Sequence, residues 1–133
     1  MIPPENTRVY EGELARFWFE EDGILCANAK SVSRTLENQK ANYDFIRQIT
    51  GGQPVCLLAD NTSSYTQDDV IRAYSAQELP KLFKAMAVIS RTTIGRAAAH
   101  LFAYFQGQPI PIRTFENEGE AREWLMQYLH ELV

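Results

Sequence analysis

Pro54-Val55-Cys56-Leu57-Leu58-Ala59 is a continuous apolar run, preceded by Gly51-Gly52 and followed by the polar stretch Asp60-Asn61-Thr62-Ser63-Ser64-Tyr65. A short run bounded in this way, apolar at every position, reads as a strand covered on both faces, as in a parallel sheet. Ala85-Met86-Ala87-Val88-Ile89 has the same character. Between the two runs, Thr66 is placed to cap a helix with Asp68 and Asp69 in its first turn. Val70, Ile71, Tyr74, Leu79 and Leu82 supply the inner side of that helix, and Pro80 is expected to bend or interrupt it near its end.

The pattern extends both ways. On the N-terminal side, Leu14-Ala15-Arg16-Phe17-Trp18-Phe19 and Ile24-Leu25-Cys26-Ala27 flank Glu20-Glu21-Asp22-Gly23. Asp-Gly between apolar runs predicts a hairpin, because Gly takes the positive φ the turn needs. Val9-Tyr10 adds a short extension to the first strand or pairs separately, and residues 1–8, with Pro3 and Pro4, read as an extended arm. Ser33 to Thr35 offers a helix N-cap, and Leu36, Asn42, Tyr43, Phe45, Ile46 and Ile49 cluster on one side before the Gly51-Gly52 stop. On the C-terminal side, Ser90-Arg91-Thr92-Thr93 leads into a helix carrying Ile94, Ala98, Leu101, Phe102 and Phe105. Ile110-Pro111-Ile112-Arg113-Thr114-Phe115 follows as an edge strand, since its internal proline cannot donate to a ladder. Asn117 then caps a helix with the apolar stripe Ala121, Trp124, Leu125, Tyr128, Leu129 and Leu132. The expectation is one α/β domain over residues 9–133, ordered ββαβαβαβα, with a mixed and mostly parallel sheet opened by an antiparallel hairpin.

Composition narrows the function classes. The 133 residues are 45% hydrophobic and 23% charged, which suits a globular domain and argues against disorder. No run approaches the roughly 18 apolar residues of a spanning helix, so stable membrane insertion is not expected. A net charge of −4 removes the electrostatic case for nucleic acid. The start Met1-Ile2-Pro3-Pro4-Glu5 has no basic region leading into an apolar core, which predicts a cytoplasmic and reducing setting. Cys26 and Cys56 each lie in an apolar strand and read as small buried hydrophobes. His100 and His130 have no partner at metal-ligand spacing, so neither a metal nor another cofactor is expected.

The order of elements resembles the STAS-like fold of bacterial anti-sigma-factor antagonists, and within it an uncharacterised bacterial group. The likeness rests on Arg16-Phe17-Trp18-Phe19 through Asp22-Gly23-Ile24-Leu25, on Gly51-Gly52 with Val55-Cys56-Leu57-Leu58-Ala59-Asp60, and on Ser90 and Gly95-Arg96. It continues in Phe115-Glu116, Glu120-Ala121 and Trp124-Leu125. In signalling members of the family, a serine between a strand and the next helix is phosphorylated by a partner kinase. The resemblance therefore implies Ser63 or Ser64 as phosphoacceptor, beside Thr62 and Thr66. The family's Asp-Ser pair with a following Gly is absent, since no glycine lies between Gly52 and Gly95.

Asp60 ends a parallel strand, at the edge where open α/β folds place ligands. It could bind a ligand there, or hydrogen-bond the backbone of its own loop. Ser90 and Arg91 take the matching place after the next strand, where a helix start can hold an anion and Arg91 and Arg96 would add charge-assisted bonds. On a sheet with helices on one side only, Trp18 would be exposed and line a pocket or dimer contact; core packing is the default reading. The first functional expectation is a non-enzymatic regulatory domain acting through a protein partner or self-association as a homodimer, with loop phosphorylation as an optional switch. The second is a small-ligand binder or enzyme using a pocket formed by Asp60, Ser90, Arg91 and Arg96.

Overall fold

The computed structural model describes residues 1–62, 69–91 and 110–129. Six strands form one sheet in chain order: β1 (Tyr10–Glu11), β2 (Ala15–Phe19), β3 (Leu25–Ala29), β4 (Val55–Asp60), β5 (Phe83–Ile89) and β6 (Ile112–Phe115). The first three pair antiparallel, and β3 to β6 are parallel. Three helices are described: α1 (Leu36–Thr50), α2 (Asp69–Leu82) and α3 (Glu118–Leu129). The expected helix after Thr92, with His100 and Arg96, lies outside the described residues, as do Ser63, Ser64, Thr66 and His130. None of the described helices is long and apolar enough to cross a membrane.

Local chemistry accounts for each boundary. Gly23 takes φ +86° at the hairpin turn, where its N–H donates to the Glu20 carbonyl and the Asp22 carboxylate accepts from the Ile24 N–H. Thr35 and Asn38 form a reciprocal capping box at the start of α1. Gly51 closes the same helix in the left-handed region at φ 66°. Asn117 accepts from the Glu120 N–H to start α3. Pro80 does not interrupt α2: the helix runs through it to Leu82, and β5 begins at the next residue.

Strand alternation sends side chains into two cores. Phe17, Leu25, Ala27, Leu57, Ala59, Met86 and Val88 meet Tyr43 and Ile46 of α1 and Leu79 and Leu82 of α2. Trp18, Cys26, Cys56, Leu58, Ala85, Ala87 and Ile89 meet Ala121 and Leu125 of α3. A register shift opposite Val55 and Cys56 leaves Lys84 unpaired, so Phe83 joins the first core while Ala85 joins the second. Both cysteines are buried and free, and burial pushes the Cys26 thiol up to about 12.

Trp18 packs in the core, as the default reading has it. Helices cover both faces of the sheet, so Trp18 is fully buried. Its indole N–H donates to Glu20 at 3.4 Å. Glu20 in turn receives Arg122 of α3, which also reaches Glu118 at 2.8 Å. This charge-assisted fork fastens α3 to the hairpin. Between α1 and α2, the Tyr43 hydroxyl donates to Ser75 at 2.7 Å, and the rings of Tyr43 and Tyr74 lie 5.9 Å apart.

The two-core arrangement predicts that Leu58→Ala, at a fully buried position of a central strand, costs about 2–5 kcal/mol. Val70→Ser, at an exposed position of α2, should stay within about 0.5 kcal/mol. Urea denaturation followed by circular dichroism compares the two.

Candidate functional site

The parallel strands end side by side. Asp60 pairs in register with Asn28 of β3 on one side and Ile89 of β5 on the other. Asn28 and Asp60 continue the alternation of Cys26 and Leu58, which places them on the α3 side of the sheet. The chain beyond β4 is pinned when the Asn61 N–H donates to the Ile89 carbonyl at 2.8 Å, and β5 is tied to β6 by the Ser90 N–H on the Phe115 carbonyl at 3.0 Å.

Asp60 is almost wholly buried, with 8% of its surface exposed. One carboxylate oxygen accepts from the Thr62 N–H at 3.0 Å, and the other receives the Arg91 guanidinium in an ion pair. Thr62 Oγ1 in turn accepts the Arg91 N–H at 3.2 Å. Burial alone would raise the Asp60 carboxyl, but the Thr62 N–H and hydroxyl and the Arg91 guanidinium outweigh it and hold it below the ordinary range. The result is a clasp: the segment after β4 and the segment after β5 are joined through one carboxylate.

A third group meets the same carboxylate. The amino group of Met1 lies 3.7 Å from Asp60 Oδ2 and donates to Asn28 Oδ1 at 3.1 Å, while Asn28 Nδ2 donates to the Met1 carbonyl at 2.6 Å. Residue 1 of the expected arm is therefore anchored on the sheet edge. Neither Asn28 nor Met1 was legible as a site residue in the sequence. The available signal was an Asn closing an apolar strand, and it gains meaning only once the register sets it beside Asp60.

Of the expected site residues, Asp60 and Arg91 come together. Ser90 is adjacent in the chain and fully buried, and its Oγ has no hydrogen-bond partner among the described residues, so it does not join the clasp. Arg96, Ser63 and Ser64 lie outside the described residues. Chemically, Asp60 is engaged on both oxygens, which suits a positioning group better than a free base. Among the described residues no group of three or more His, Cys, Asp or Glu could hold a metal ion.

A family model described as a domain of unknown function, DUF7793, matches residues 17–129. The chain belongs to that family. A crystal structure of an uncharacterised protein from Shewanella loihica PV-4, of the DUF3478 family and with a SpoIIAA-like fold, is similar to this DUF7793 domain with a TM-score of 0.61. The two share 18% sequence identity over 94% of this chain and 99% of that one, a likeness of fold alone. Comparison with curated proteins finds no match. The expected STAS-like architecture is thus borne out at the level of the fold.

The clasp carries a pH dependence with a definite sign. A carboxyl held lower in the folded than in the unfolded chain contributes stability above the unfolded value of about 3.9. That contribution is lost as pH falls through the folded value. Asp60→Asn should therefore lower the urea midpoint relative to the parent chain at pH 7, and the gap should narrow at pH 3.

Proposed function

We propose that this DUF7793 domain is a non-enzymatic regulatory module. It recognises a protein partner through the sheet edge at which β4 and β5 end. The observation that carries the reading is the Asp60–Arg91 clasp, because it couples the two segments that leave that edge. A carboxylate spent on a backbone N–H and a guanidinium organises loops, and Arg91 keeps about half of its side-chain surface exposed beside it. That leaves charged surface for a partner, at the place where the fold class presents its ligands.

A loop phosphate is the switch that fits this arrangement. Phosphorylation of Ser63 or Ser64 would add about −1.5 to −2 charge within a few residues of Asp60. A phosphate dianion competes with a carboxylate for the same guanidinium, so the modification would loosen the clasp and change what the edge displays. The SpoIIAA-like fold supports protein recognition as the class of function without naming the partner.

Native mass spectrometry of the chain isolated gently from its own host tests the proposal. The expected result is a complex with a second polypeptide, or with a second copy of the chain, that weakens in Asp60→Asn. A bare monomer carrying a stoichiometric small-molecule adduct would overturn it in favour of ligand binding at the same edge.

A further inference from the structure

Arg34 stands apart from the other described arginines. Arg16, Arg47, Arg72, Arg91 and Arg122 each pair with a carboxylate, and Arg8 and Arg113 each lie over an aromatic ring. Arg34, half-buried just ahead of the Thr35 cap of α1, meets neither among the described residues. Its Nη1 donates to Gln39 Oε1 at 2.8 Å, while its Nε is buried with no hydrogen-bond partner among the described residues. Burial holds the guanidinium below its ordinary value, opposed by the Tyr43 side chain. A cation withdrawn from water and joined to a neutral amide lacks the countercharge that offsets its desolvation. The surroundings are fixed and neutral. Gln39 is 2% exposed, and its Nε2 lies 3.5 Å from Ser75 Oγ of α2, which also accepts the Tyr43 hydroxyl at 2.7 Å. Burial pushes that hydroxyl up, so it stays uncharged. The lysines on either side in the chain are engaged elsewhere, Lys30 with Glu11 and Lys40 over the Tyr74 ring.

We propose that Arg34 is a receptor for a carboxylate group, carried by a small organic acid or by an acidic side chain of another polypeptide. With Nη1 taken by Gln39, the guanidinium keeps Nε and Nη2, which form one edge of its planar fork and match the two oxygens of a carboxylate. One positive charge among neutral neighbours is balanced by one negative charge, so a carboxylate fits where a phosphate dianion would leave an excess. Seating both oxygens opens the cover over Nε, and the ion pair formed in a half-buried place is stronger than one in open water. Arg34 joins the α1–α2 side of the sheet, whereas the Asp60 clasp lies on the α3 side. The receptor therefore stands independently of the partner edge.

Acetate tests the receptor in the full chain. Nitrogen-resolved proton NMR follows the Nε–H signal of Arg34, assigned by its loss in Arg34→Met and in Arg34→Lys. Added sodium acetate should move that signal along a saturating curve, while sodium chloride at the same ionic strength leaves it in place. Urea midpoints give a second readout, since a ligand that binds the folded chain stabilises it. Acetate should raise the midpoint of the parent and leave that of Arg34→Met where chloride puts it. Arg34→Lys keeps the charge but not the fork, and its gain should be smaller than the parent's. A peptide with one internal glutamate and both ends blocked separates the two sources. Tighter binding than acetate assigns the receptor to a partner's side chain, and weaker binding assigns it to a free acid. An Arg34 signal that saturates with neither probe would overturn the receptor, as would an acetate gain that persists in Arg34→Met.

Discussion

Burial of β4 on both faces is the constraint from which the rest follows. Cys56 and Leu58 point to one core and Leu57 and Ala59 to the other, so neither face can be left to water without exposing apolar surface worth about 25 cal/mol per Å². Parallel neighbours with crossover connections satisfy that demand, and helices must then lie on both sides of the sheet. The same demand explains why polar groups gather where it ends. Asp60 is the first position along β4 at which a charge appears, and it lies at the end of the strand, where loop N–H groups and a guanidinium can meet it.

Electrostatics at that edge differ from those at the opposite fastening. Arg122 lies between two carboxylates, Glu20 and Glu118, and locks the hairpin to α3. At the clasp one carboxylate holds one guanidinium among the described residues, Arg91, which keeps about half of its side-chain surface exposed. A guanidinium held by one acid and half open to solvent has hydrogen-bonding capacity to offer that one held between two acids lacks. That contrast makes the Asp60 edge the place where an added anionic group or a competing partner would be felt.

Much of this was legible in the residues. The two apolar runs at 55–59 and 85–89, the Asp22-Gly23 turn, the Gly51 stop and the Asn117 cap each rest on local chemistry, and each appears where the chain calls for it. Asp60 and Arg91 were legible as candidates because strand ends in a parallel sheet are recognisable from the runs that precede them. Their pairing, and the part played by Asn28 and Met1, depends on register between strands far apart in the chain, which no local pattern encodes. Trp18 was ambiguous for a related reason: the number of helices on each face is a property of the assembled sheet. The apolar Leu25-Cys26-Ala27 of its neighbour, buried on both faces, was the clue that both sides are covered.

Whether Asp60 and Arg91 act as one unit is the question on which the clasp depends. A double-mutant cycle answers it, with Asp60→Asn, Arg91→Gln and the combined variant compared with the parent by urea denaturation at pH 7. A clasp predicts a coupling energy above about 0.5 kcal/mol, as for groups in direct contact. Additive effects, with coupling near zero, would contradict it and leave Asp60 as no more than a cap for its own loop.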